Sequence, residues 1–125
     1  MNGSRDFRGQ SGAVYRYQRV EPQGPAPLGA GNYLYVRADK ATPVIVFAGE
    51  CERLSEAIGT GWRDAVDKHG ATDIFARKTV AYRARQEELQ DVLAEHAPVM
   101  NDAAEISAAR KPAVEAVPSP PEEEG

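Results

Sequence analysis

The sequence has few of the features that membrane, disulfide-bonded and metal-binding proteins depend on. Its single cysteine, Cys51, has no partner for an internal disulfide, which fits a reducing compartment and excludes a metal site built from several cysteines. The longest apolar stretch, residues 43–49, is far shorter than the roughly 20 residues that a membrane-spanning helix needs. Residues 1–10 are not followed by the apolar segment of a secretory signal. We therefore expect a cytoplasmic protein that does not interact with membranes.

An excess of positive charge is also missing. The net charge is −4, and residues 102–125 account for all of it, because six acids stand there against two bases. A neutral body is a poor surface for nucleic acid, since neutralised phosphates supply most non-specific affinity. The first twenty residues alone lean towards positive charge. If nucleic acid binds, we expect it to bind through the four arginines of this segment, Arg5, Arg8, Arg16 and Arg19. A protein partner is the alternative.

Composition divides the chain into three parts. Residues 1–10 are polar and contain glycine, and residues 103–125 are rich in alanine, proline and glutamate, so both ends are predicted to be disordered. Over the whole chain the apolar share is 42%, which is close to that of a globular protein. Residues 11–102 are therefore predicted to form one domain.

Hydrophobic periodicity changes from strand-like to helix-like along this central part. Strands are predicted at residues 14–20, 32–37, 43–49 and 72–76. Helices are predicted at residues 50–58, 60–69 and 80–96. The two strands joined by the short turn at residues 38–42 form a hairpin and must run antiparallel. The predicted fold class is α+β, with a small, mainly antiparallel sheet of three or four strands packed with three helices.

Four short motifs, in this order, resemble those of the GIY-YIG nuclease family. Residues 31–33 (Gly-Asn-Tyr) are similar to the first signature tripeptide, and residues 47–49 (Phe-Ala-Gly) to the second. Residues 50–55 are similar to the turn into the first helix that the excision-repair members carry. Residues 98–101 (Pro-Val-Met-Asn) are similar to the Pro-x-x-Asn that closes the domain. The resemblance implies a three-stranded antiparallel sheet surrounded by helices, to which the strand at residues 14–20 would be an addition.

The resemblance also implies which positions would carry chemistry, because members of the family hydrolyse DNA phosphodiester bonds. Their site combines the two signature tyrosines, an arginine on the first helix, a metal-binding glutamate on the last helix and the closing asparagine. A divalent ion steadies the developing charge, a tyrosine helps to activate the water, and the arginine holds the phosphate. Tyr33 matches the first tyrosine, and Asn101 matches the asparagine.

The remaining three positions depart from the family. The second tyrosine is replaced by Phe47, which has no hydroxyl group. The arginine position holds Ala57, and Arg53 lies one helical turn earlier. Counting back from the closing proline places the glutamate at Leu89, one residue from Glu88, and a step of one residue turns a helical side chain by about 100°. Glu88 would return to register if the loop before that proline has gained a residue.

These departures predict a loss of catalysis. Phosphate clamps and metal ligands act on charge that develops in the transition state, so their loss typically lowers the rate by orders of magnitude. We therefore expect a catalytically inactive GIY-YIG-like module that binds nucleic acid or protein and needs no cofactor. Tyr33, Arg53 and Asn101 would remain in a vestigial cleft. Two alternatives stay open, namely an active endonuclease that uses Arg53 with Mg²⁺ or Mn²⁺ on Glu88, and a structural or assembly subunit.

Overall fold

The computed structural model of the chain describes residues 3–39 and 41–115, and the side chains of this part up to residue 109. The strands are β1 (Ser4–Arg8), β2 (Val14–Val20), β3 (Gly31–Arg37), β4 (Val44–Cys51) and β5 (Asp73–Lys78). The helices are α1 (Leu54–Ala57), α2 (Trp62–His69), α3 (Tyr82–His96) and α4 (Ala103–Glu115). None of these helices combines the length and the apolar character that a bilayer crossing requires.

The five strands form one antiparallel sheet in the order β1-β2-β5-β3-β4. The last strand in the sequence, β5, lies between β2 and β3, so the long connection at residues 21–30 passes from one side of β5 to the other. A register shift between Tyr35 and Val36 gives the β3–β4 pair a bulge. The predicted α+β class and the antiparallel sheet are confirmed. The described residues form five strands and four helices, so the predicted counts of three or four strands and of three helices are wrong.

Two structured elements lie where disorder is predicted. Residues 4–8 form β1, although residues 1–10 are polar in composition. The reason is Phe7, which is buried and packs edge-on against Tyr17 and Phe75. At the other end, Ala103–Glu115 form α4, and Ala109 packs into the core beside α3. The prediction of disorder for residues 103–125 therefore fails for α4, while residues 116–125 lie outside the described part.

The sheet has two covered sides, and alternation along β3 decides which residue faces which side. Tyr33 and Tyr35 point towards α1 and α2, whereas Leu34 and Val36 point towards α3. We refer to these as the α1 side and the α3 side. The core on the α3 side collects residues from all five strands, so the sheet curls around α3. Its larger members are Phe7, Tyr17, Leu34, Ile45, Phe75, Leu89, Val92 and Leu93.

The helices on the α1 side are shorter than the sequence pattern predicts. The helix predicted from residue 50 begins only at Leu54, because β4 continues to Cys51, which pairs with Gly31 of β3. Gly61, rather than Thr60, stands at the N-cap of α2. The predicted end of α2 is confirmed, since Gly70 adopts a left-handed conformation with φ of 71°.

Candidate functional site

Three of the five positions that the resemblance singles out lie together on the α1 side. The rings of Tyr33 and Phe47 are tilted against each other with centroids 5.7 Å apart. Both pack in the apolar cluster that also contains Leu54 and Ala57. Tyr33 is 9% exposed, and its burial raises the pKa of the phenol to about 12. At neutral pH this hydroxyl keeps its proton, so Tyr33 is a packing residue and a poor proton acceptor.

A shallow groove of about 560 Å³ lies next to this cluster. Its walls are formed by Cys51, Glu52, Arg53, Glu56 and Ala57. The side chain of Arg53 is 74% exposed and its Nη1 lies 3.2 Å from Oε2 of Glu56. Burial raises the pKa of the Cys51 thiol, which favours the protonated and unreactive form. With two acids against one base, the groove has little attraction for a phosphate.

Glu88 lies on the α3 side, across the sheet from Tyr33. Its side chain is 4% exposed. One carboxylate oxygen accepts a hydrogen bond from the Tyr17 hydroxyl at 2.7 Å, and the other accepts one from Nε of Arg77 at 2.9 Å. The structure therefore does not bring Glu88, Arg53 and Tyr33 together.

A row of polar residues crosses the sheet beneath α3 at the level of Glu88. Paired positions on three adjacent strands, β5, β3 and β4, hold Arg77, Asn32 and Glu50. Arg85 of α3 is 3% exposed and donates from Nε to Glu50 at 2.8 Å. The second oxygen of Glu50 accepts from Gln86 at 2.8 Å.

The carboxylates of Glu88 and Glu50 are thus each bonded by an arginine and a second donor. Arg85 also donates from Nη1 to the Val80 carbonyl at 2.7 Å, and its own carbonyl accepts from Asn32 Nδ2 at 3.1 Å. Within residues 3–39 and 41–109, no three His, Cys, Asp or Glu side chains are grouped in a way that could hold a metal ion. The arrangement supports packing of α3 on the sheet, and it offers no open coordination position at Glu88.

Asn101 is placed at the outer edge of β4. Its Oδ1 accepts from the Ala48 N–H at 3.0 Å, and its Nδ2 donates to the Ala48 carbonyl at 2.9 Å. The neighbouring Met100 N–H donates to the Val46 carbonyl at 2.9 Å. The segment after α3 therefore pairs with β4 as a short strand would. Both polar atoms of the Asn101 amide are thus bonded to the backbone of Ala48.

The N-terminal arginines do not form one basic patch. Arg16 binds Asp6 through an Nε–Oδ1 contact of 2.9 Å, and Arg19 binds both Glu21 and Asp73. Arg5 and Arg8 form no ion pair with another described residue. Alternation along β1 puts Arg5 on the side of the buried Phe7 and Arg8 on the opposite side.

The polar contacts of Glu88 on the α3 side were not predicted from the sequence. Tyr17 is 71 residues from Glu88, and Arg77 is 11 residues from it, so no local spacing connects them. One available signal is that Arg85, Glu88 and Val92 follow helical spacing, which places two charges on the apolar stripe of α3. Comparison of the chain with protein-family models, with curated proteins and with solved structures found no match.

Proposed function

We propose that the chain is a non-catalytic domain of the GIY-YIG type that acts by binding a protein partner. The observation that carries the proposal is the state of Glu88, the acid that a metal ion would need. Glu88 is buried, bound by Arg77 and Tyr17, and separated from Tyr33 by the sheet. Phosphodiester cleavage requires the metal, the phosphate clamp and the water-activating group around one phosphate. In this chain Tyr33 and Glu88, which would have to act on one phosphate, lie on opposite sides of the sheet.

Recruitment of Glu88 for catalysis would carry a large energetic cost. The carboxylate would have to leave two hydrogen bonds, one of them to a guanidinium group, and Arg77 would lose its partner. Interactions of this kind with charged groups contribute about 1.5 to 3 kcal/mol each. The proposal of an inactive site therefore agrees with the replacements at Phe47 and Ala57.

A protein partner is favoured over nucleic acid by the charges of the described surface. Two of the four N-terminal arginines, Arg16 and Arg19, are already bound to carboxylates. The groove beside α1 carries two acids against Arg53. Phosphate binding depends on cations whose counterions are released, and this surface provides few of them.

The absence of catalysis can be tested with supercoiled plasmid DNA and Mg²⁺ or Mn²⁺. We expect no nicking by the unmodified protein above the level of a blank. Two variants accompany it: Glu88→Gln removes the buried carboxylate charge, and Glu87→Gln changes an exposed acid on the same helix. Nicking that is retained in Glu87→Gln and abolished in Glu88→Gln would overturn the proposal in favour of the metal-dependent endonuclease.

The choice of a protein over nucleic acid can be tested by gel shift at low salt. We expect no shift of a DNA or RNA duplex. The informative variant is Arg5→Gln/Arg8→Gln, which removes the two unpaired arginines and leaves the pairs of Arg16 and Arg19 in place. A shift that is weakened by salt and lost in this variant would favour nucleic acid.

A further inference from the structure

We propose that the outer edge of β1 binds an extended segment of another protein as an additional antiparallel strand, and that this segment carries two acidic residues three positions apart. The inference rests on the proposed function, because it names the surface and the kind of partner. Three observations support it: which backbone groups of β1 are free, how the two edges of the sheet differ, and where the unpaired arginines lie.

The hydrogen bonds at the two ends of the β1–β2 hairpin define which residues of β1 bond to β2. The Arg19 N–H donates to the Gly3 carbonyl at 2.8 Å, and the Gly9 N–H donates to the Ala13 carbonyl at 2.9 Å. Hydrogen-bonded pairs alternate with non-bonded pairs along an antiparallel ladder. The odd-numbered residues of β1 therefore direct their backbone groups to β2.

The even-numbered residues, Ser4, Asp6 and Arg8, direct their backbone N–H and C=O groups away from the sheet. All three are exposed. One of the outward groups, the Arg8 carbonyl, has a partner, because Nε2 of His96 lies 2.8 Å from it. A new strand can therefore bond to the N–H and C=O groups of Ser4 and Asp6 and to the Arg8 N–H.

The opposite edge of the sheet is closed at its centre. Met100 donates to the Val46 carbonyl, and Asn101 bonds both backbone groups of Ala48 on β4, as a strand would. In the described part of the chain no element covers β1 in this way. The sheet therefore has one edge that is sealed by its own chain and one that is available to another chain.

The charges beside this edge select an acidic partner. Arg5 and Arg8 form no ion pair with another described residue, and they point to opposite sides of the sheet. In an antiparallel pair, directly opposite residues share a side and their Cβ atoms lie about 4.5 to 5.5 Å apart. Acids opposite both arginines would stand three positions apart in the added strand. The spacing Asp/Glu-x-x-Asp/Glu follows from this geometry.

A second copy of the chain fits this edge less well. If two β1 strands pair antiparallel with Asp6 at the centre, the two Asp6 side chains lie opposite each other. With Arg5 at the centre, the two Arg5 side chains lie opposite each other. Like charges in directly opposite positions are unfavourable. Centring on Phe7 pairs Asp6 with Arg8, but the Arg8 carbonyl is already bonded to His96. Each of these three registers therefore meets like charges or loses hydrogen bonds.

The test uses a labelled synthetic peptide, Thr-Val-Glu-Thr-Val-Glu-Thr-Val, and fluorescence anisotropy with the full chain. We expect this peptide to bind. A peptide of the same composition with adjacent glutamates should bind several-fold more weakly, and a peptide with lysines in place of the glutamates should not bind. On the protein, Arg5→Gln/Arg8→Gln should weaken binding several-fold. Arg83→Gln, which changes an exposed arginine on α3, should leave it unchanged.

A second pair of variants separates backbone pairing from charge. Asp6→Pro removes an outward N–H, whereas the backbone ladder to β2 stays intact because the N–H and C=O of Asp6 do not bond to β2. Asp6→Ala loses the same contact with Arg16 but keeps the N–H, so it is the matched control. We expect the alanine variant to bind the peptide and the proline variant not to bind it. Circular dichroism verifies that both are folded.

Amide hydrogen exchange gives a readout specific to the register, and it also serves if the proline variant fails to fold. With the peptide bound, the amides of Ser4, Asp6 and Arg8 should exchange more slowly, whereas those of Arg5 and Phe7 should be slow with and without peptide. Protection at another surface, or no binding at a peptide concentration of about 1 mM, would overturn the inference.

Two further results would overturn it in favour of other occupants. Protection of β1 that grows with protein concentration in the absence of peptide would assign the edge to a second copy. Binding of a DNA duplex that survives Asp6→Pro but is lost in Arg5→Gln/Arg8→Gln would assign the arginines to phosphate. Failure of the proposed function has a different signature, namely nicking that depends on Glu88.

Discussion

Glu88 and Arg85 show how single side chains couple α3 to the sheet. They lie one turn apart on the buried face of the helix, and each is paired with a residue of opposite charge on a strand, Arg77 or Glu50. A buried ion pair contributes little to net stability, but a buried charge that has lost its partner is strongly destabilising. Either partner is therefore hard to replace alone. The same pairing occupies both carboxylate oxygens of Glu88, through Arg77 and Tyr17.

Replacement of Arg77 tests this coupling. Arg77→Met should lower the free energy of unfolding by about 2 to 3 kcal/mol, because Glu88 is left buried with only the Tyr17 hydroxyl. This value lies at or below the lower limit of the range of about 3 to 5 kcal/mol for buried pairs, since the Arg77 side chain is 35% exposed. Urea unfolding measures the change. The double variant Arg77→Met/Glu88→Leu should regain part of the loss, and a loss below about 0.5 kcal/mol in the single variant would contradict the coupling.

Tyr33 links burial to alkaline stability. Its pKa is raised to about 12 in the folded chain, mainly by burial, against about 10 when unfolded. The folded state therefore holds the proton in the range where the unfolded state releases it, and stability falls as the pH rises from about 10 to about 12. Tyr33→Phe should reduce the loss of stability between about pH 8 and pH 11 by about 1 kcal/mol, as measured by urea unfolding. An equal alkaline loss in both proteins would show that Tyr33 is not desolvated.

At the scale of strands and helices, a sequence pattern predicts an element well when that element buries its own apolar face. The alternation of β3, the apolar run of β4 and the helical stripe of α3 are of this kind. Strand β1 has no apolar face of its own, because Phe7 is its single buried residue and the strand is held by pairing with β2. The position of β5 between β2 and β3 likewise depends on pairing across the sheet.

The candidate site divides in the same way. Motifs along the chain place Tyr33 next to Phe47 and put Asn101 after α3, because these positions depend on neighbouring elements of the sequence. The partners of Glu88 could not be predicted, because they come from β2 and β5 and meet α3 only when the sheet curls around it. Which side of the sheet a helix covers is decided by packing, and local patterns do not encode it.

The edge of β4 provides a test at this scale. Asn101→Ala removes both hydrogen bonds to Ala48 and leaves its N–H and carbonyl buried without partners. We expect the free energy of unfolding to fall by about 2 kcal/mol and the Ala48 amide to exchange faster. Val99→Ala is the control, since Val99 is exposed and lies in the same segment. Equal effects of the two variants would mean that Asn101 does not seal the edge.

Across the whole molecule, the β1–β2 hairpin is part of the core rather than an appended arm. It contributes Phe7 and Tyr17 to the cluster around α3, and its turn is fixed to α3 by Asp91. The carboxylate of Asp91 accepts from the Ser11 N–H at 2.8 Å, from the Ser11 hydroxyl at 2.6 Å and from the Tyr15 hydroxyl at 2.7 Å. Deletion of residues 1–20 would therefore expose the core, and point variants are the better probes of this segment.

Asp91 makes the attachment of the hairpin dependent on pH. Burial by itself raises the pKa of this carboxyl group, but hydrogen bonds from Ser11 and Tyr15 outweigh it and hold the pKa below its usual range. The folded chain thus keeps the charge to lower pH than the unfolded chain. The resulting stability is present above about pH 4 and is lost as the pH falls through the folded pKa.

Asp91→Asn should remove this dependence and loosen the hairpin. At neutral pH we expect a loss of about 1 kcal/mol in unfolding free energy, because the carboxamide is a weaker acceptor and keeps one oxygen for three donors. Below about pH 4 the difference from the unmodified protein should shrink, since the latter then loses its own charge at this site. Urea unfolding across this pH range measures the difference, with the exposed Glu95→Gln on α3 as control. Amide exchange at residues 9–13 should also become faster, and an unchanged exchange rate would mean that apolar contacts alone hold the hairpin against α3.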